Sequence, residues 1–273
     1  MPEDLHQIAL PPHRVWHRGG TRPVLALHCS LAHAGAWSGL AAALHGVTIT
    51  ATDAPGHGRA PDWLPGTDMH ALATAQSVAM AESLGLGAKI DLIGHSFGGT
   101  VALRIAVERP DLVRSLTLVE PVIFAASKAV AAAAYERFRA DHLGFAELVE
   151  AGDREAAAAL FHGHWGSDDC LSNLPERTRA YMVDRIHLIV AQNPTLLDDA
   201  AGILRPGGLE VVDVPVLLIE GADSPAIIDA VHRALALRLP QATRLVVPKA
   251  GHMVAITHAA AIAASVQAHL DAA

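Results

Sequence analysis

Hydrophobic positions along the 273-residue chain follow two rhythms. Short runs of apolar and β-branched residues at Pro23–His28, Val47–Thr52, Ile90–Ile93, Leu116–Val119, Pro215–Ile219 and Thr243–Val247 read as strands, most of them buried on both faces. Arg14–His17 reads as a short edge strand. Between the runs lie segments with helical spacing. One is alanine-rich, around Gly39–Leu44, and a second spans Met69–Leu84 and stops near Gly85 and Gly87. A third, Gly98–Glu108, carries Val101, Ala102, Ile105 and Ala106 on one face and ends at Pro110. Near the C-terminus, Ile227, Ile228, Val231, Leu235 and Leu239 mark a helix, and Ile262, Val266 and Leu270 mark a closing one. Strand and helix in alternation call for right-handed crossovers and a mostly parallel α/β sheet flanked by helices on both faces.

From Phe124 to about Pro206 the alternation lapses, and Ala-rich and Arg/Glu-rich helical segments follow one another. Met182, Ile186, Ile189 and Val190 trace an apolar stripe in the last of them. The stretch reads as a helical insertion over the sheet. It divides the chain into a core of residues 1–123 and 207–273 and a helical lid of residues 124–206.

One strand-to-helix junction carries chemistry. The apolar run Leu92-Ile93 leads into Gly94-His95-Ser96-Phe97-Gly98 and then a helix, the pattern of a nucleophile elbow. A serine on so sharp a turn leaves no room for Cβ atoms at Gly94 and Gly98. Its hydroxyl and the unpaired amides of the following helix face one point, a place for attack on a carbonyl.

Composition narrows the field. With 51% hydrophobic and 18% charged residues, a sizeable core is expected and disorder is not. A net charge of −8 and 4% aromatic residues provide neither a basic footprint nor stacking platforms for nucleic acid, and such a surface offers anionic partners nothing. Two cysteines, Cys29 and Cys170, fit a reducing compartment. Met1–Asp4 does not resemble a signal peptide, and no run of apolar residues is long enough for a membrane span. The expectation is a cytoplasmic protein without membrane or nucleic-acid partners; its oligomeric state is left open.

Four motifs in chain order carry a resemblance: His28 with Trp37 nine residues on, Asp-Ala-Pro-Gly-His-Gly-Arg at 53–59, Gly-His-Ser-Phe-Gly-Gly at 94–99, and Gly-His at 251–252. Over roughly residues 14–271 the chain resembles the α/β-hydrolase fold superfamily. The resemblance implies Ser96 as nucleophile, His252 as its base, and an oxyanion hole from the Phe97 and Ser30 amides. His57 and His95 sit in motifs as shaping residues. Two departures stand out. Where relatives commonly have His-Gly, this chain has His28-Cys29, so Cys29 must be strained or the loop reshaped; a small buried thiol is the reading preferred over a nucleophile. At the usual place of the acid stands Ser224, with Asp223 one residue early. Glu120 ends the next strand, 120 − 96 = 24 residues after the serine, the spacing used by one subgroup of haloalkane dehalogenases. Glu120 is preferred as the acid and Asp223 is the alternative.

Serine at position 96 argues against dehalogenases and epoxide hydrolases, which need a carboxylate there. An acyl-enzyme suits esters, thioesters, lactones and some carbon–carbon bonds beside a carbonyl. The leading expectation is a carboxylic ester hydrolase acting on a small, uncharged or weakly polar acyl substrate, with no cofactor and no metal. His162 and His164 are then packing residues. Phe124, Phe161, Trp165, Met182 and Ile186 are the candidate pocket lining. The alternatives are a carbon–carbon hydrolase or cofactor-free lyase using the same residues, and a ligand-binding relative with negligible turnover.

Overall fold

Every strand anticipated from the apolar runs forms, and together they make one sheet. The computed structural model describes residues 9–166 and 170–273, so the reading of Met1–Asp4 lies outside the described residues. In chain order the core elements are β1 (His13–Leu27), α1 (Ser38–Ala43), β2 (Val47–Thr52), α2 (Met69–Gly85), β3 (Ile90–His95), α3 (Phe97–Glu108) and β4 (Val113–Val119). The insertion follows as α4 (Lys128–Glu150), α5 (Arg154–Trp165), α6 (Glu176–Arg185), α7 (His187–Ala191) and α8 (Asn193–Asp198). The chain then returns to β5 (Val216–Gly221), α9 (Ala226–Ala236), β6 (Ala242–Val247), α10 (Val254–Thr257) and α11 (Ala259–Asp271). The sheet runs β2-β1-β3-β4-β5-β6, with parallel neighbours from the second half of β1 onward, the arrangement that right-handed helical crossovers impose.

Successive side chains on each strand feed opposite layers. Leu25 and Leu27 of β1, Leu92 of β3 and Leu218 of β5 pack with α2, α3 and α9. Val24, Ala26, Ile93 and Ile219 pack with α1 and α11. Burial on both faces explains why these strands read as continuous apolar runs.

The edge strand at Arg14–His17 is the first half of β1. Over His13–Arg18 the partners on β2 descend from Thr52 to Val47; over Arg22–Leu27 they ascend again. The chain therefore doubles back around β2, antiparallel on its outer side and parallel on its inner side. The turn needs Gly19, at φ +83°, and Gly20, where a Cβ would lie 2.1 Å from the Gly46 carbonyl. Helix α2 stops at Gly85, as expected, with Leu86 at φ +48° as its left-handed cap and Gly87 at φ +91° after it.

The insertion has its own small core of Phe145, Ala157, Ala158, Leu171, Ile186 and Ile189. Its apolar stripe spans two helices, since α6 ends at Arg185 and α7 begins at His187. No helix among the described residues is long and apolar enough to cross a membrane.

Candidate active site

Ser96 links β3 to α3 at φ +54°, ψ −118°, a conformation that an L-residue holds only when its surroundings enforce it. The enforcement is visible on both sides. A Cβ on Gly94 would lie 2.3 Å from the Gly98 carbonyl, and one on Gly98 would lie 2.3 Å from the carbonyl of Leu27. The Ser96 N–H is tied to the Val119 carbonyl at 2.9 Å, which fixes the turn to β4. The Phe97 N–H opens α3, among the first-turn amides that have no acceptor within the helix.

Three side chains from three segments meet above this turn. His252, on the loop between β6 and α10, has its Nε2 3.0 Å from Ser96 Oγ and its Nδ1 2.8 Å from Glu120 Oε2. Glu120 follows β4 at φ +51°, a second left-handed residue, and its carboxylate is fully buried. Its other oxygen accepts from the Gly221 N–H at 2.6 Å and from the Ser224 hydroxyl at 2.7 Å. Burial pushes the Glu120 carboxyl up, but the hydrogen bond and charge of His252 outweigh it together with the Gly221 and Ser224 donors. The net effect holds it below the ordinary carboxylate value. Asp223, in contrast, is exposed on the cavity wall, its backbone N–H spent on the Ala250 carbonyl. The residue that stands where an acid was anticipated, Ser224, thus donates to the carboxylate arriving from the neighbouring strand.

Histidines in the motifs act on the backbone. His95 Nε2 donates to the carbonyl of His252 at 2.8 Å, and burial lowers its pKa to about 3. His57 Nδ1 donates to the Pro55 carbonyl at 2.8 Å and is likewise held neutral by burial. His28 Nδ1 donates to the Cys29 carbonyl at 2.7 Å while its Nε2 accepts the Ala54 N–H at 3.0 Å, joining the loop after β1 to the loop after β2. Asp53 ties the same loops, accepting from the amides of Ala34 at 2.7 Å and Arg59 at 3.0 Å.

Of the two options for Cys29, the structure takes the reshaped loop. Cys29 is not left-handed; Leu31, two residues later, is, at φ +59°. The thiol is buried, and burial raises its pKa to about 12, which keeps it protonated and inert. The Ser30 hydroxyl donates to Oε1 of the buried Gln192 at 2.8 Å, so its proton is engaged with the insertion. Gln192, which sequence reasoning missed, lies 162 positions away and carries no signal in the sequence.

The serine and imidazole open onto a cavity of about 1210 Å³ between sheet and insertion. Phe124, Phe161, Trp165 and Met182 all line it, whereas Ile186 turns into the core of the insertion. Trp165 packs on His252 with ring centroids 4.6 Å apart. His164 lies against Trp165 at 4.9 Å, and His162 is buried on the cavity wall.

The sequence profile of the alpha/beta hydrolase fold matches residues 22–259. A pimeloyl-[acyl-carrier protein] methyl ester esterase of Neisseria meningitidis is 32% identical over 235 residues, covering 79% of this chain and 80% of that protein. Lipase LipV of Mycobacterium tuberculosis is 37% identical over 107 residues; this chain spans only 39% of its length. Among solved structures, the enol-lactonase from Burkholderia xenovorans superposes with a TM-score of 0.74 at 21% identity, covering 95% of this chain and 96% of that one. With the profile covering most of the chain, and the elbow, sheet order and helical insertion in agreement, the protein belongs to the α/β-hydrolase fold family.

Proposed function

We propose that this chain is a carboxylic ester hydrolase, with thioesters and lactones within its range, that works through an acyl-enzyme on Ser96. The Ser96 hydroxyl attacks the ester carbonyl as His252 Nε2 takes its proton, and Glu120 stabilises the resulting imidazolium through Nδ1–H. The Phe97 and Ser30 amides receive the oxyanion. Collapse expels the alcohol, which takes the proton from His252. Water, deprotonated by the same nitrogen, then releases the acid. Residues 124–206 act as the lid, with Phe124, Phe161, Trp165 and Met182 facing the acyl chain.

The observation that carries this reading is the unbroken Ser96–His252–Glu120 hydrogen-bond chain at the floor of a cavity large enough for an ester. An esterase and a lipase among the relatives support the ester class. Initial rates with p-nitrophenyl acetate and butyrate test it. Wild type should turn both over, and Ser96→Ala should lose at least about 10⁴-fold in kcat. A wild type without Ser96-dependent turnover sinks the proposal.

A further inference from the structure

Most arginines outside the cavity are neutralised by carboxylates: Arg104, Arg109, Arg185, Arg233, Arg238 and Arg244 each sit in an ion pair. Arg18, Arg137, Arg154, Arg179 and Arg205 are in no ion pair among the described residues, but none of them lines the cavity. Arg14, Arg59 and Arg177 line the cavity from three separate segments, and all three are exposed. Arg59 Nη2 donates to the His13 carbonyl at 2.7 Å, which places it beside Arg14. Arg177 lies one turn before Tyr181 on the same face of α6, and the Tyr181 hydroxyl accepts the N–H of Gly58, next to Arg59, at 3.0 Å. The segments that carry the three arginines are therefore neighbours where they line the cavity.

Asp53 is the carboxylate that approaches them, 3.6 Å from Arg59 Nε, and it is already held by two backbone amides. Among the described residues, Arg14 and Arg177 have no carboxylate partner. The other charges lining the cavity, Asp223 and Lys249, lie on the His252 side and offset each other. Among the described residues that line the cavity, four cationic side chains (Arg14, Arg59, Arg177 and Lys249) thus face two carboxylates (Asp53 and Asp223), a local excess of positive charge in a chain with 28 acidic and 20 basic side chains. Low-dielectric walls focus that field, and guanidinium forks match carboxylate and phosphate oxygens.

We propose that the rim formed by Arg14, Arg59 and Arg177 binds an anionic group, carboxylate or phosphate, carried by the substrate at a distance from the scissile ester. This rests on the ester-hydrolase reading and narrows it: the preferred substrate is a half-ester of a diacid or a phosphate-bearing acyl ester, with the neutral end at Ser96 and the charged end at the rim. Net charge does not reveal such a site, because the recognising charge is local.

The test compares monomethyl glutarate, adipate and suberate, and methyl 4-phosphonobutyrate, with methyl esters of the matching monocarboxylic acids in a pH-stat. At low salt at least one anionic ester should exceed its neutral counterpart about tenfold in kcat/KM, chiefly through KM, and the advantage should shrink in 0.5 M NaCl. Which anionic ester leads separates carboxylate from phosphate and reports the reach. Arg14→Gln and Arg177→Gln should each lower the anionic-to-neutral ratio severalfold, while Arg109→Gln, paired with Glu82 and Asp111 at the end of α3, should leave that ratio unchanged. Ser96-dependent turnover of neutral esters with a ratio of one or less overturns the rim and leaves the hydrolase reading standing. If no ester is turned over, the hydrolase reading falls, and calorimetry of monomethyl adipate against methyl hexanoate on Ser96→Ala decides the rim: equal or absent binding overturns it.

Discussion

Adjacent strands β4 and β5 each end in a buried glutamate, and the two carboxylates respond to burial in opposite directions. Glu120 is fully buried yet held below the ordinary carboxylate value. Glu220, 4% exposed, is pushed above it. Burial acts upward on both. Around Glu120 the donors converge: His252 on one oxygen, the Gly221 amide and Ser224 hydroxyl on the other. Glu220 has Arg244, but Arg244 is shared with Asp229, and the nearby charges of Asp229 and Glu120 add to the upward push. The backbone makes the difference. Glu220 stays in the extended run of β5 and aims at the sheet face, where His232 Nδ1 is 3.7 Å away. Glu120 leaves β4 in a left-handed turn and swings towards the loop that carries His252. Depth does not determine the state of a buried acid; the number and aim of its donors do.

Substitutions can break this contrast. Glu120→Gln should cost the most, roughly 10³- to 10⁴-fold in kcat on p-nitrophenyl butyrate, because the amide neither compensates the imidazolium nor enforces the tautomer. A loss of less than tenfold would remove Glu120 from the proposed role. Ser224→Ala, which deletes one donor from the same carboxylate, should cost roughly tenfold in kcat with little change in KM. In urea titrations over pH the two acids should have opposite signs. The depressed Glu120 contributes stability above its unfolded pKa of about 4.3, lost as pH falls through its lower folded value, so the gap between wild type and Glu120→Gln should close in acid. The raised Glu220 is unfavourable above its folded pKa and is relieved as pH falls, a relief that Glu220→Gln should lack. The smallest effect belongs to Asp223→Asn and Glu220→Gln in turnover, each expected within about threefold of wild type. A collapse of activity in Asp223→Asn would reverse the assignment of the acid.

Features written in local chemistry are legible in the sequence. Gly94 and Gly98 announce the elbow because only glycine tolerates carbonyl oxygens so close. The strands are legible because burial on both faces leaves an unbroken apolar run. Glu120 is legible through resemblance to the subgroup that uses the same 24-residue spacing, and Ser224 stands at an acid's usual place without any sign that it donates to Glu120. What joins distant segments is not legible. Nothing in the polar stretch Arg18–Arg22 says that β1 folds around both sides of β2. Nothing near Gln192 says that its amide meets Ser30. The gathering of Arg14, Arg59 and Arg177 at one rim likewise depends on loop paths that periodicity does not encode.

The 2.7 Å contact between Ser224 and Glu120 also bears on where such a site can root its acid. Side chains rooted in two neighbouring strands reach the same small volume beside one imidazole nitrogen, so the negative charge has two possible addresses. Two carboxyl groups at that separation would share a proton, so only one of them would carry the charge. In a site of this shape the proposed acid can be rooted in either strand while Ser96 and His252 keep their places.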